Sequence, residues 1–335
     1  MLLPVGRARC RVLAPGYAGG VSRGYRPGVE RPARGVLHNV GMALTHSTSD
    51  FVLDPPPPGF SPTEVALLTM DGESISAGWV PARSRSEDRV DDPTGGPLDA
   101  GVSFVLAHGF TGSWREPRVQ AVAAHLARFG DVLAIDQRGH GASSGLCTVG
   151  MDEVLDVDAA VGYLRRRSAN RPVVSVGFSM GGSVVLRQAA LAPGSQSTPR
   201  HRPDAVASVS SPGFWFYRGT KVMRLVHRLI GNPAGRALLR TRGVRMTAQP
   251  WPDPPPWSPE ESVRRMGDLP LLVVHGDIDH YFPVEHARVL ERAARESQNP
   301  RAEVIVVPGF SHAESTVDPQ TMDRIGKWAT AVATG

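Results

Sequence analysis

The amino-acid sequence predicts an α/β fold in which a mostly parallel, doubly wound sheet of about eight strands carries a helical insertion. Two observations predict this fold. Short apolar segments alternate with segments of helical periodicity from residue 64 to the C-terminus, as in a parallel sheet with helices on its faces. The central strands are continuous apolar runs, which is expected where both faces of a sheet are covered. The length of 335 residues and the hydrophobic fraction of 41% suit one large globular domain.

The predicted elements follow one another through short turns. A hairpin opens the domain, with two strands of alternating hydrophobicity around an Asp71-Gly72 turn. The predicted strands are Val65–Met70, Ile75–Val80, Val102–Ala107, Val132–Ile135, Val173–Val176, Ala205–Ser210, Leu271–His275 and Val304–Val307. The predicted helices are Val119–Phe129, Val154–Arg167, one directly after Ser179, Val284–Glu296 and Thr321–Val332. The turns after the parallel strands lie at the carboxyl edge of the sheet, where such sheets bind ligands.

One region, at about residues 211–268, interrupts this alternation and is predicted to form a cap over that edge. It contains four consecutive aromatic residues, a basic amphipathic helix near Val222–Ile230 and a run rich in proline and tryptophan. Two interpretations of the aromatic residues stay open. Phe214, Trp215 and Phe216 either line an apolar substrate pocket or pack beneath the cap.

The first 50 residues differ from the rest in composition. They are rich in Gly, Arg and Pro without sustained periodicity, which predicts a disordered basic tail at 1–50 before a domain at 51–335. An extension upstream of a true start at Met42, or an Arg-rich targeting peptide, are the alternatives.

Most of the net charge of +5 lies in this tail. Residues 1–41 hold seven Arg and one Glu, so that residues 42–335 together carry a net charge of −1. This distribution argues against a nucleic-acid partner. No apolar run approaches the roughly 20 residues that span a bilayer. The two cysteines, Cys10 and Cys147, form neither a disulfide framework nor a metal-ligand spacing, so we expect a cytoplasmic protein.

The segment around Ser179 carries the most specific chemical signal. An apolar run of β-branched residues breaks at Gly177-Phe178-Ser179-Met180-Gly181 and continues at helical spacing. A strand that turns directly into a helix needs strained backbone at the turn, and glycines two residues before and after the serine remove clashing Cβ atoms. This arrangement predicts a nucleophile elbow, with the Ser179 hydroxyl exposed above a helix N-terminus.

A serine needs a base and an orienting acid to act as a nucleophile, and in this kind of fold they follow it in the order acid, histidine. The loop after Leu271–His275 supplies Asp277 and Asp279, and the loop after Val304–Val307 supplies His312. We favour Asp279 as the acid because it lies deeper in its loop. Asp277 directly follows Gly276 and is expected to hold the turn.

Stabilisation of an oxyanion requires two donors. We expect the backbone N–H of Met180, next to the serine, and that of Phe110, in the loop after Val102–Ala107. His108 and His140 lie beside glycines in loops and are predicted to have structural roles.

From about Glu64 onward the chain resembles the α/β-hydrolase superfamily. The similar segments are His108-Gly109-Phe110, Asp136-Gln137-Arg138-Gly139-His140-Gly141-Ala142-Ser143, Gly177-Phe178-Ser179-Met180-Gly181-Gly182, His275-Gly276-Asp277-Ile278-Asp279 through Pro283, and Gly309-Phe310-Ser311-His312. They occur in the family's order. The resemblance makes Asp279 the triad acid, and the second segment is similar to the monoacylglycerol-lipase-like and serine-aminopeptidase-like branch.

The resemblance implies a serine hydrolase that cleaves a carboxylic ester or thioester through an acyl-enzyme, without a metal or organic cofactor. The cap predicts a small-molecule substrate with a medium-length apolar acyl chain. Relatives that open epoxides or displace halide carry Asp where this chain has Ser179. Amide, peptide or carbon–carbon bond hydrolysis and acyl transfer to an alcohol stay open as alternatives, as does a non-catalytic binding protein on the same fold.

Overall fold

A computed structural model describes residues 53–83, 101–168, 170–191 and 199–334. The strands are β1 (Thr63–Leu68), β2 (Ser74–Val80), β3 (Val102–Ala107), β4 (Gly130–Ile135), β5 (Val173–Phe178), β6 (Ala205–Val209), β7 (Leu271–Gly276) and β8 (Ala302–Val307). They form one eight-stranded sheet within the described residues, in the order β1-β2-β4-β3-β5-β6-β7-β8. β2 pairs antiparallel with β1 and β4, and the other neighbouring strands are parallel. The predicted fold class is therefore confirmed.

Helices cover both faces of the sheet. They are α1 (Pro117–Leu126), α2 (Val154–Arg167), α3 (Met180–Ala190), α4 (Lys221–Gly231), α5 (Pro233–Arg240), α6 (Pro259–Arg265), α7 (Glu285–Glu296), α8 (Ala313–Thr316) and α9 (Pro319–Thr334). On one face α1 and α9 pack with Phe104 and Leu106 of β3. On the other face α2, α3, α6 and α7 pack with Val105 and Ala107. Successive side chains of β3 point to opposite buried faces, which explains why the strand is apolar apart from the buried Ser103.

The predicted elements all occur, and their ends differ by a few residues. The largest difference is at α1, which ends at Leu126 instead of Phe129. The backbone N–H of Phe129 donates to the carbonyl oxygen of Leu126 at 2.8 Å, so the helix closes with a tight turn. This turn lets β4 begin at Gly130, two residues before the predicted start. Helix termini often tighten in this way, and the periodicity of the sequence does not mark them.

The insertion at about 211–268 lies between β6 and β7 and contains two separate parts. α4 and α5 pack on each other, and short β-bridges join Val244 to His140 and Met246 to Cys147 in the loop after β4. α6 instead packs against α3 and α7, with Val263 buried in the layer that covers the sheet. A capping box between Ser258 and Glu261 begins α6. α6, the last part of the insertion, thus belongs to the layer of helices that covers the sheet.

Some predictions concern residues outside the described ranges. One of them is the prediction of a disordered tail at 1–50, which contains Cys10 and Met42. Within the described ranges, no helix combines the length and the apolar character needed to cross a membrane.

Candidate active site

Ser179 lies in a strained turn between β5 and α3. Its backbone has φ 51° and ψ −113°, a conformation that residues with a Cβ rarely adopt. A Cβ on Gly177 would lie 2.2 Å from the carbonyl oxygen of Gly181, and a Cβ on Gly181 would lie 2.3 Å from that of Ala107. Both positions therefore require glycine, as the sequence pattern indicates. The turn brings the Ser179 side chain to the wall of a cavity at the carboxyl edge of the sheet.

Three of the predicted site residues lie within hydrogen-bonding distance of one another. The Ser179 Oγ is 3.0 Å from His312 Nε2, and His312 Nδ1 is 2.7 Å from Asp279 Oδ2. A carboxylate only accepts, so His312 Nδ1–H donates to Asp279 and Nε2 is left to accept the Ser179 hydroxyl proton. All three side chains are buried or nearly so, although the sequence separates His312 from Ser179 by 133 residues.

The carboxylate of Asp279 is held by its own loop. Its Oδ1 accepts hydrogen bonds from the backbone N–H groups of Tyr281 at 2.8 Å and Phe282 at 2.9 Å. Burial raises the pKa of this carboxyl, but the charge and hydrogen bond of His312, with further help from His275, leave the pKa below its ordinary value. Asp279 is therefore ionised at neutral pH.

Asp277 has a different role in the same loop. Its Oδ1 accepts the backbone N–H of Gly309 at 2.7 Å, which joins the loop after β7 to the loop after β8. Its side chain is exposed and forms this link away from His312. The geometry agrees with the expectation that Asp277 holds the turn.

Two histidines hold the loop after β3 in place beside Ser179. His108 accepts the backbone N–H of Gln137 at Nε2 (3.2 Å) and donates from Nδ1 to the carbonyl oxygen of Gly109 (2.7 Å). Burial, with repulsion from His140, lowers the pKa of His108 to about 3, so the ring is neutral. His140 Nε2 donates to the carbonyl oxygen of Phe110 at 2.5 Å. Neither histidine contacts Ser179, in agreement with the structural roles expected from the sequence.

The predicted oxyanion donors, Phe110 and Met180, belong to the loop after β3 and to the start of α3. Met180 is the first residue of α3, so its backbone N–H has no acceptor within the helix. Phe110 and Met180 both line the cavity that contains Ser179 and His312.

This cavity has a volume of about 460 Å³ and extends from Ser179 to the cap. All three predicted substrate-binding aromatic residues line it, and each also packs on a neighbour. Phe214 stacks on His286 at 4.6 Å, and Trp215 donates from Nε1 to the carbonyl oxygen of Pro256 at 2.8 Å. Phe216 is 61% exposed, with its ring 5.4 Å from that of Trp251. Both interpretations of these residues, as pocket lining and as packing, therefore describe part of their contacts.

The chain matches a family model described as serine aminopeptidase, S33, over residues 100–252. This range contains Ser179 and ends before Asp279 and His312. Among curated proteins, the uncharacterized protein YfhR of Escherichia coli is 24% identical over 287 residues, which are 84% of each chain.

Solved structures share the fold at lower sequence identity. The esterase Pf2001 of Pyrococcus furiosus superposes with a TM-score of 0.56 and 20% identity, over 83% of this chain and 97% of that chain. TT1662 from Thermus thermophilus superposes with a TM-score of 0.54 and 18% identity, over 82% of this chain and 100% of that chain. The chain has the α/β-hydrolase fold. The family match over residues 100–252 and this fold agree with a serine hydrolase.

The structure adds two residues near the reacting groups that sequence reasoning missed. Tyr281 stacks on the His312 ring at 4.1 Å with an interplanar angle of 23°. Burial raises the pKa of Tyr281 to about 12, so the ring stays neutral. Glu314 is buried and accepts the backbone N–H of Gly109 at 2.6 Å, which connects the loop of His312 to the loop of Phe110. The Glu314 contact spans 205 positions of the chain and has no local sequence signal.

Proposed function

We propose that this α/β-hydrolase cleaves a carboxylic ester or thioester through an acyl-enzyme formed on Ser179. The observation that carries the proposal is the continuous hydrogen-bond chain from Ser179 through His312 to Asp279, at the wall of a cavity. Nucleophile, base and orienting acid at these distances are what acyl transfer by a serine requires.

The reaction follows from these positions. The Ser179 Oγ attacks the substrate carbonyl carbon while His312 Nε2 takes the hydroxyl proton. The negative charge that forms on the carbonyl oxygen is stabilised by the backbone N–H groups of Phe110 and Met180. His312 then gives the proton to the departing alcohol or thiol. Water attacks the acyl-enzyme with the same base, and the acid is released together with free Ser179.

Asp279 and the loop around Phe110 support this reaction electrostatically. Because the pKa of Asp279 is low, its carboxylate stays charged and stabilises the imidazolium that His312 becomes during attack. The stacked Tyr281 ring offers its electron-rich face to the same imidazolium. The hydrogen bonds from His140 to Phe110 and from Gly109 to Glu314 hold the oxyanion loop in place without motion during the reaction.

We further propose that α4 and α5 form a lid over an apolar acyl pocket. The Met180 side chain packs in one cluster with Leu229 of α4 and Leu239 of α5, directly beside the nucleophile. The cavity continues under α4, and Trp215 lies in its wall. A cavity of about 460 Å³ accommodates an acyl chain of medium length, which supports that substrate preference. Cytoplasmic location, the tail at 1–50 and the domain at 51–335 stay predictions.

Labelling with a fluorophosphonate, together with turnover of a panel of p-nitrophenyl esters, tests the mechanism. Wild-type protein should be labelled stoichiometrically and should hydrolyse the esters, whereas Ser179→Ala should do neither. Phosphonylation without turnover of any ester would indicate another acyl substrate. The absence of labelling on folded wild-type protein would contradict an activated serine and favour a non-catalytic binding protein.

Amide hydrolysis is the second candidate, and the family description of serine aminopeptidase favours it. The same triad serves both reactions, because an amide differs from an ester in its leaving group and needs a better-placed proton donor. Aminoacyl p-nitroanilides and matching aminoacyl esters separate the two candidates. Faster turnover of the anilides, relative to the spontaneous hydrolysis of each substrate, would favour the aminopeptidase. Carbon–carbon bond hydrolysis would show as turnover of neither.

A further inference from the structure

The cap is strongly cationic although the domain as a whole is not. Its first part, residues 211–252, contains eight Arg and Lys and no Asp or Glu, whereas residues 253–268 hold two Arg and four Asp or Glu, and residues 42–335 together carry a net charge of −1. The average over the chain conceals this separation between the cap and the rest of the domain. Among the described residues, none of the eight forms an ion pair with a carboxylate. Their charge is therefore available to a ligand.

Two of these cations line the cavity that contains Ser179. Arg218 is exposed, just before α4 begins, and Arg236 on α5 is half-buried, with its Nη1 donating to the carbonyl oxygen of Ile230 at 3.1 Å. The carboxylate of Glu314, which also lines the cavity, is engaged by the backbone of Gly109. A third arginine of the cavity wall, Arg118, is paired with Glu116 at 2.6 Å. Arg218 and Arg236 thus lack the carboxylate partner that Arg118 has.

We propose that the acyl substrate carries a phosphate group, which Arg218 and Arg236 bind at the cap end of the cavity while Ser179 attacks the acyl carbon. The inference rests on the proposed serine-hydrolase function. A guanidinium matches the geometry of phosphate oxygens, and a phosphate dianion suits two separate arginines better than a singly charged carboxylate does. The apolar wall around Trp215 holds the acyl chain, and the arginines hold the other end of the substrate.

The remaining cations of the cap have a separate effect. Lys221, Arg224 and Arg228 are exposed on the outer face of α4, and none of them lines the cavity. They raise the local concentration of an anionic substrate through their long-range field without contacting it. Their contribution should therefore disappear at high ionic strength, whereas that of Arg236, which is half-buried, should persist.

Matched substrates test the phosphate directly. Octanoyl-coenzyme A and octanoyl-N-acetylcysteamine are thioesters of the same acid, but only the thiol of the first carries a nucleotide with its phosphates. Octanoyl-lysophosphatidic acid and monooctanoylglycerol are esters that differ in one phosphate. We expect kcat/KM to be at least about tenfold higher for the phosphate-bearing member of one pair, since hydrogen bonds to charged groups contribute this much or more. The pair that shows the preference identifies the carrier as nucleotide or glycerol phosphate.

Two double variants, each lacking two positive charges, locate the effect. Arg218→Gln/Arg236→Gln should reduce the ratio of kcat/KM between the phosphate-bearing and the neutral substrate about tenfold. Lys221→Gln/Arg228→Gln should reduce it less than about threefold, and not at all in about 0.5 M NaCl. The thermal unfolding midpoint of each variant checks that the cap is intact. Equal losses in both variants would overturn the assignment of the two arginines.

Three outcomes separate this inference from the proposed function. If Ser179→Ala abolishes hydrolysis but neither pair shows a phosphate preference, the inference is wrong and the serine-hydrolase function stands. If Ser179→Ala keeps the activity, the proposed function fails, and the inference fails with it. If wild type shows no phosphate preference but sediments with phosphatidylglycerol vesicles, and Lys221→Gln/Arg228→Gln does not, the cap docks on an anionic membrane and the inference is overturned.

Discussion

The edge of the sheet that carries Ser179 and the cap above it are stabilised in different ways. At the edge, buried polar side chains form hydrogen bonds between loops that are far apart in sequence, as His140 does with Phe110 and Asp279 with His312. In the cap, α4 buries two side chains, and its basic residues are exposed and form no ion pair with any carboxylate of the described residues. The reacting groups are therefore held by hydrogen bonds among the loops of the sheet edge, and the cap joins this network through the bridge from Val244 to His140. The cap is the part of the molecule that can vary with the substrate.

Loss of the nucleophile is expected to have the largest effect. Ser179→Ala should reduce the kcat for a soluble ester by about 10⁶-fold, as removal of a serine nucleophile does where the triad acts as a unit. The thermal unfolding midpoint should not fall, because alanine removes one hydroxyl at a cavity wall. Ser183→Ala, one turn further along α3, is the matched control, since its buried Oγ has no hydrogen-bond partner among the described residues. A Ser179→Ala variant that keeps its kcat would contradict the assignment.

Asp279→Asn is expected to have the next largest effect, a loss in kcat of about 10⁴-fold, because an amide can hold His312 in the wrong tautomer. Asp277→Asn in the same loop should cost far less. The side-chain amide oxygen of the asparagine can still accept the backbone N–H of Gly309. Both variants are measured with one ester across a range of pH. If Asp277→Asn lowered kcat more than Asp279→Asn does, the assignment of Asp279 as the orienting acid would be wrong.

The candidate residues at the sheet edge could be selected from the sequence because their signals are local. Ser179 follows directly after β5, Asp279 and His312 lie in the loops after β7 and β8, and Gly177 is required by a contact with Gly181 inside one turn. Parallel strands then bring their carboxyl ends together, which is why Ser179, Asp279 and His312 could be selected before any coordinates.

The rest of the site could not be predicted because it depends on contacts between distant segments. Glu314 binds Gly109 across 205 positions, and no pattern in either segment indicates the other. The insertion was assigned to the cap as a whole, whereas α6 packs against the sheet layer through side chains such as Val263. Seven residues of α6 are too few for periodicity to show which neighbour they contact.

The junction between the two regions gives a prediction about pH. His286 of α7 accepts the backbone N–H of Gly213 at 2.9 Å and stacks on Phe214, where the chain enters the cap. Burial, with repulsion from His275, lowers its pKa to about 4. The unfolded chain, with an ordinary histidine pKa of 6.5, therefore binds the proton first as the pH falls.

His286 should thus stabilise the fold fully above pH 6.5, and its contribution should decrease as the pH falls toward 4. By about pH 5 the loss amounts to about 1–2 kcal/mol in the free energy of unfolding. His286→Gln keeps an acceptor for Gly213 but does not titrate. Urea unfolding at about pH 7.5 and pH 5 should show a smaller difference for the variant than for wild type. An unchanged difference would mean that His286 is not the group responsible.

The smallest expected effect concerns the acyl pocket and decides between the two interpretations of the cap aromatics. If the cavity wall around Trp215 holds the acyl chain, each added methylene should contribute up to about 0.8 kcal/mol, or roughly fourfold in kcat/KM, until the pocket is full. A profile over C2 to C12 p-nitrophenyl esters should then rise and reach a plateau at medium length.

Trp215→Ala should flatten the rise or move the plateau to longer chains, because it enlarges the cavity. Trp257→Ala is the matched control, since Trp257 lies in the proline- and tryptophan-rich run of the same insertion, packs against Arg265 and does not line the cavity. A profile that peaks at C2 and is the same in wild type and Trp215→Ala would leave these aromatics as packing alone. In that case the sheet edge would still account for the reaction, and the cap would not select the acyl chain.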